Sequence, residues 1–183
     1  MKYFFKHLHT VNTHRRLVRR ECFKLGLYWQ GLTHDLSKYS PAEFLVGARY
    51  YQGFCSPNKA ERDEKGFSEA WMHHKGRNKH HYEYWLDFFV SENERGINPV
   101  EMPAKYFCES VCDRIAACKV YAGEKYTSGD ALAYFMKRER QDYMHERTAA
   151  EFIKVLTMLK DEGEEKTFEY LRKMLKEAKK AEK

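Results

Sequence analysis

A chain of 183 residues, 43% hydrophobic and 33% charged, is long enough for one sizeable core and short for two, and its twelve Phe and thirteen Tyr exclude a disordered segment. The formal charge of +6 favours an anionic partner, either a small phosphorylated substrate or a nucleic acid, without choosing between them. No run approaches the roughly 18 apolar residues of a membrane span, and the start lacks an apolar signal region with a small-residue cleavage site, so a cytoplasmic protein with no membrane partner is expected.

Helical periodicity dominates, and no segment sustains the period-two alternation of a half-buried strand. The expected fold is all-α, a compact single-domain bundle of about seven to eight helices spanning the whole chain. The first helix runs from about Tyr3 to Leu27, ending near Gly26 or Gly31, and a short helix covers about Leu32 to Lys38. In the SPAE that follows, Ser40 suits the cap, Pro41 the first helical position, and Glu43 the third, which is the capping-box arrangement. Residues 53–66 carry Gly, Pro, Asn and mixed charges and read as an exposed loop.

Phe67 to Lys75 is predicted helical and is broken by Gly76, Arg77 and Asn78. The aromatic HHYEYWLDFF then continues as a further helix to about Val90, with a loop from Ser91 to Met102. Pro103 opens a long helix through Asp113 to about Ala122, stopped by Gly123. Two more helices cover about Asp130 to Arg140 and Glu146 to Asp161. Residues 164–183 form a C-terminal amphipathic helix with Phe168, Leu171, Met174, Leu175 and Ala178 on its apolar face.

The five cysteines, Cys22, Cys55, Cys108, Cys112 and Cys118, leave one unpaired in any disulfide scheme and form no CxxC, so reduced thiols are expected. Cys108 and Cys112 share a helix face that would suit a soft metal, but small residues at that spacing read first as core. Trp29, Trp71 and Trp85 read as core anchors. The basic runs HRRLVRR and KKAEK are of the kind that forms solvated helix faces.

Eight of the nine histidines precede position 82. They cluster as His7, His9 and His14, as His34 beside Asp35, as His73 with His74, and as His80 with His81. A divalent ion needs three or more N or O ligands converging from different elements, and imidazole with carboxylate is the usual supply. Taken alone, His7, His9 and His145 read as surface or core residues. On a helix His34 and Asp35 would point about 100° apart, able to grip one ion or bridge two. Lys38, one turn after Asp35, is placed to hold that carboxylate or meet a phosphate oxygen. Asp113 lies in an otherwise apolar helical stretch, where a carboxylate is costly unless paired or metal-bound; its alternative is a salt bridge to Arg114, Lys119 or a distant arginine. Arg77, Asn78 and Lys79 form either a polar turn or an anion-recruiting rim.

The order His14, His34–Asp35 in HDLSK, paired histidines and a helical Asp113 in CESVCDRIAA resembles the HD-domain superfamily of metal-dependent phosphohydrolases. Together, HDLSKYSPAEF and AWMHHKGRNKHHYEYW look like a family of small phage and bacterial HD-like proteins over roughly residues 10 to 125. The resemblance implies one metal held by His14, His34, Asp35 and Asp113, and a second held through His74 and either His80 or His81, with Asp35 bridging. It implies one or two divalent ions per chain (manganese, iron, magnesium, nickel or zinc) and hydrolysis of a nucleotide or other small phosphate ester, with Lys38 and Arg77 as catalytic cations. No GYP motif follows the double histidine, so the resemblance stops short of cyclic-di-GMP phosphodiesterases. Two other readings stand beside it. One is a di-iron oxygenase of the same HD type. The other is a nucleic-acid-binding module using Arg15, Arg16, Arg19 and Arg20, with a structural metal or none.

Overall fold

The computed structural model describes residues 3–89, 95–138 and 141–181. Among these residues it contains eight α-helices and one two-stranded ribbon, so the architecture is all-α. Helix α1 (Phe4–Lys24) buries His7, Val11, His14, Val18 and Cys22, a stripe spaced three or four residues apart that faces the interior. Helix α2 (Tyr28–Thr33) turns back on it, and α3 (Pro41–Arg49) starts with Pro41 in the first turn. The stretch read as a loop before Gly66 instead holds α4 (Pro57–Lys65). Its composition is polar because Glu61 is the one buried residue in it, yet it has Pro at its start, Gly66 at φ 82° at its end, and i,i+4 pairs Lys59–Asp63 and Lys65–Glu61. These are helix signals in their own right.

Helix α5 (Glu69–Lys75) is capped by the Ser68 hydroxyl, which accepts from the Trp71 amide at 3.0 Å. The aromatic run after it does not continue as a helix. A 3₁₀ turn at Tyr82–Trp85 leads into β1 (Leu86–Phe88), which pairs antiparallel with β2 (Ile97–Pro99), Asp87 opposite Asn98. Aromatic side chains are mediocre helix formers and good strand formers. Here Phe88 is exposed, so no buried helical face was available to override that preference. The expected helix end at Val90 and the start of the following loop at Ser91 lie outside the described residues.

Helix α6 (Ala104–Ala122) runs from Pro103 to Gly123 as expected and contacts both α1 and the last helix. Helix α7 (Asp130–Arg138) and α8 (Glu146–Ala181) complete the chain; the expected end of α7 at Arg140 is outside the described residues. Gly163, at φ 83° and ψ 179°, breaks α8 into the two helical stretches expected there. One core unites α1, α6, α7 and both parts of α8 through Val18, Val111, Ile115, Phe135, Phe152, Leu156 and Leu171. Each such side chain contributes about 1.5–3 kcal/mol by leaving water. Cys22, Cys108 and Cys112 belong to this core, where burial pushes the Cys108 thiol up to about 12, and all five cysteines are free. Trp29 is exposed rather than a core anchor, because α2 lies on the surface and turns it outward.

Helices α3, α4 and α5 form a second group against α1 through α3. At Gly47 the helices are tightly apposed, and a Cβ there would stand 2.3 Å from His7 Nε2. Gly47→Ala should therefore force α3 from α1 and cost about 1–3 kcal/mol, as overpacking does. The check is a urea denaturation midpoint; an unchanged midpoint would mean that the His7 ring swings aside freely.

Candidate metal centre

The pair at 34 and 35 is not on a helix, contrary to the sequence reading. Helix α2 stops at Thr33, His34 has φ −48° and ψ 127°, and Asp35 is left-handed at φ 54° and ψ 27° before a 3₁₀ turn at Leu36–Tyr39. Asp35 is the one non-glycine residue with positive φ among the described residues. Such a conformation costs about 1–2 kcal/mol for most residues and is tolerated best by Asp and Asn. It removes the 100° divergence that a helix would impose. His34 Nε2 and Asp35 Oδ2 end 3.3 Å apart, both buried.

Five elements meet around this turn. From α1, His14 Nε2 lies 3.6 Å from Asp35 Oδ2 and 2.9 Å from Asp113 Oδ1; Asp113 Oδ1, from α6, is 3.5 Å from His34 Nε2. These four residues form one group of converging donors. On the other side of the same carboxylate, Asp35 Oδ1 is 3.3 Å from His74 Nε2 and 3.4 Å from His80 Nε2, and His81 Nε2 lies 2.9 Å from His74 Nε2. Asp35, His74, His80 and His81 form the second group. Asp35 thus presents one oxygen to each set. The structure brings together both His80 and His81, and of the 73–74 pair it selects His74.

Five buried atoms in the cluster, Nε2 of His14, His34 and His80 and both carboxylate oxygens of Asp35, make no well-aligned hydrogen bond, although His14 Nε2 lies beside Asp113 and Asp35 Oδ2 beside the Lys38 ammonium. Buried polar atoms left unpaired cost free energy, and here they converge on one another in two groups of N and O donors. A divalent cation fits this donor set, and the clusters have the composition and spacing to hold one.

Two glutamates orient the imidazoles: Glu109, which the sequence reading did not single out, and Glu43, which it assigned to a capping box. Glu109 Oε1 is 2.9 Å from His34 Nδ1 and 3.2 Å from His80 Nδ1, so one buried carboxylate steers a histidine of each group. Glu43 divides its oxygens between His73 Nδ1 at 2.6 Å and His74 Nδ1 at 2.7 Å. That recruitment overrides the capping box expected at Ser40, where no side-chain cap forms. A carboxylate accepting from Nδ1–H fixes the tautomer with Nε2 as lone-pair donor. The signal for Glu109 was present: it is a carboxylate in an apolar helix one turn before Asp113. Glu109→Gln should lower metal affinity by about 10–100-fold, since both Nδ1 atoms meet the same oxygen, Oε1, and a neutral amide oxygen there is a weaker acceptor than the carboxylate. Competition with a chelating dye measures this; unaltered affinity would remove Glu109 from the assembly.

The electrostatics divide the imidazoles. Burial alone would lower His34, but Asp35, Asp113 and Glu109 hold it well above the ordinary histidine value, and His74 is likewise raised by Asp35 and Glu43 against its burial. Burial together with the neighbouring imidazoles lowers His80 and drives His81 well down. Asp35 resists its burial because His34, Lys38 and His74 hold it well below the usual carboxylate range. The Lys38 ammonium is 2.6 Å from Asp35 Oδ2, in the holding position expected of it.

Arg77 is a correction. It is exposed, and its Nη1 donates to the His73 carbonyl at 3.1 Å, so it serves the end of α5 rather than the cluster. Asn78 instead reaches inward, donating to Ser37 Oγ and to the His74 carbonyl, both at 2.8 Å. Asp113 faces the histidines, while Lys119 pairs with Glu164 and Glu21. His7 is buried against Phe44 and its pKa is lowered to about 4 by burial and by Lys38; His9 is exposed and His145 half-buried. Trp71 packs on His74 and His81, at 5.5 and 4.8 Å between ring centres, and walls that side of the cluster.

Compared with known proteins, the chain matches over residues 3–158 the family described as "Family of unknown function (DUF5662)", a span that holds every candidate ligand. No curated protein and no solved structure matches it.

Proposed function

The chain belongs to the DUF5662 family, and from the chemistry of its buried cluster we propose that it is a metal-dependent phosphohydrolase of the HD type, acting on a nucleotide or other small phosphate ester. The observation that carries this reading is Asp35, whose two buried oxygens, Oδ2 also paired to Lys38, face two separate sets of imidazole and carboxylate donors. A pair of divalent ions held there would polarise a phosphoryl oxygen and lower the pKa of water towards neutrality. His14, His34 and Asp113 would share one ion with Asp35, and His74, His80 and His81 the other. With imidazoles in the majority, iron, nickel or zinc suits the site better than manganese or magnesium, which favour oxygen ligands.

The chain's own groups then do the positioning. Glu109 and Glu43 keep the histidine Nε2 atoms directed inward. Lys38, about one-third exposed at its side chain, holds Asp35 and offers the fixed positive charge that stabilises a phosphoryl transition state. Trp71 shields His74 and His81 from solvent on one side. The basic-module reading loses ground because Arg20 pairs with Glu21 and Arg15 commits three of its five N–H donors to the His34 and Leu32 carbonyls and the Tyr39 hydroxyl, which leaves Arg16 and Arg19 as the two of the four arginines wholly uncommitted among the described residues.

The test is metal analysis of untagged protein followed by a screen for phosphate release from nucleotides and other phosphate esters. Colourless protein with about two ions per chain and metal-dependent phosphate release supports the hydrolase. A coloured, oxygen-sensitive protein carrying iron and releasing no phosphate would move the assignment to the di-iron oxygenase, for which this N and O donor set is equally suited. Protein that takes up no divalent ion would sink both.

A further inference from the structure

Away from the buried cluster, α1, α2 and the following 3₁₀ turn enclose a cleft of about 110 Å³ lined by Asn12, Arg15, Arg16, Arg19, Gly31 and Tyr39. The four α1 residues fall at i, i+3, i+4 and i+7, a single face of the helix. No carboxylate is among them. Arg15 is locked in place: Nε donates to the His34 carbonyl at 2.7 Å, Nη2 to the Leu32 carbonyl at 3.0 Å and Nη1 to the Tyr39 hydroxyl at 3.1 Å, with the guanidinium 5.1 Å from the Tyr39 ring centre. Three of its five N–H donors are thereby used and two remain. Tyr39 in turn donates to Asn12 Oδ1 at 2.5 Å, which occupies the amide oxygen of Asn12, while its N–H₂ has no partner among the described residues. Arg16 and Arg19 have no ion-pair partner among the described residues.

The acceptors around the cleft are therefore engaged, while, among the described residues, two Arg15 N–H groups, the Asn12 amide N–H₂ and the Arg16 and Arg19 guanidiniums are not. A rigid guanidinium fork flanked by two further guanidiniums matches the geometry and charge of a tetrahedral oxyanion. We propose that this cleft is a binding site for the phosphate group of a small phosphorylated molecule, separate from the metal centre. It does not depend on any metal being bound. The Arg15–His34 hydrogen bond sets the anion beside the turn that carries His34 and Asp35, so a phosphorylated ligand seated here would rest against the backbone of the metal centre.

The experiment is calorimetric titration of metal-free, chelator-treated protein with inorganic pyrophosphate at low ionic strength. Saturable binding is expected, weakened at least about tenfold in the Arg16→Gln/Arg19→Gln double variant, since hydrogen bonds to charged groups are among the stronger ones. Both residues lie on the exposed side of α1, and a retained helical spectrum confirms that the variant folds. Arg20→Gln, whose guanidinium is paired to Glu21 outside the cleft, should bind as the parent does. Absence of binding by the metal-free parent, equal binding by the double variant, or equal weakening by Arg20→Gln would each overturn the site. Binding that appears only after metal is added and survives the double substitution would place the phosphate at the metal centre, overturning the cleft while leaving the proposed hydrolase standing. A single-stranded oligonucleotide that binds the metal-free parent far more tightly than pyrophosphate, with a steep salt dependence, would overturn the small-ligand assignment in favour of nucleic acid.

Discussion

Asp35→Asn should reduce metal content from two ions per chain to at most one, and abolish metal-dependent phosphate release, while leaving the fold intact. Asn is the substitution of choice because position 35 sits at φ 54° and ψ 27°, a region in which Asn is nearly as well tolerated as Asp. It keeps the turn and the size of the side chain and removes the charge. What it deletes is the anion shared by both groups, with Oδ2 towards His14 and His34 and Oδ1 towards His74 and His80. Three donors remain on each side, so a single ion can still bind, but two cations close together lose the carboxylate between them. The loss of affinity should exceed the roughly 10–100-fold that follows from deleting a merely supporting hydrogen bond. His14→Ala and His81→Ala each touch one group only, and each should lose one ion. Plasma emission analysis of the three variants gives the pattern, and two ions retained by Asp35→Asn would refute the bridging role. Asp35→Ala is the poorer variant, since it adds the left-handed backbone penalty of about 1–2 kcal/mol to the loss of charge.

Much of the fold was legible because its boundaries are written in Pro, Gly and capping residues. Pro41, Pro103, Gly123 and Gly163 stand at helix ends or breaks, and each was read as such or flanks a boundary that was. Where the sequence misled, a local signal was outcompeted by an element elsewhere in the chain. Glu43 has the spacing of a capping-box residue, but His73 and His74 arrive from α5 and take its carboxylate. HHYEYWLDFF continues the apolar density of a helix, yet residues 86–88 find a partner strand at 97–99 that no local pattern announces. The candidate ligands were legible because His and Asp are informative residue types in an apolar context. Their support was only partly so: the apolar context of Glu109 marks it as it marks Asp113, but which imidazoles it steers emerges only when α6 is packed against His34 and His80. The left-handed turn at Asp35 was equally invisible, since nothing in THDLSK distinguishes a helix from a helix break.

Removing bound metal should lower the melting temperature by about 5–10 °C without unfolding the chain. A ligand present at a hundred times its dissociation constant stabilises the native state by about 2.7 kcal/mol, and in a protein of this size 1 kcal/mol shifts the transition by roughly 2–4 °C. The chain should stay folded because its main core joins α1, α6, α7 and α8 through residues such as Phe135, Phe152 and Leu171, none of them a candidate ligand. The metal-free cluster also has its own partial remedy. His34 is held well above the ordinary histidine pKa and His74 above it, so each keeps its proton to a higher pH than an ordinary histidine, and that charge offsets Asp35 and Asp113. A cation must displace those protons to reach Nε2. Metal affinity should consequently fall as the pH is lowered through neutrality, and binding in weak buffer should release protons. Scanning calorimetry of chelated and reloaded protein, with dye competition across pH 6 to 8, measures both effects. A melting temperature indifferent to metal, or an affinity flat with pH, would mean that these imidazoles are not the ligands.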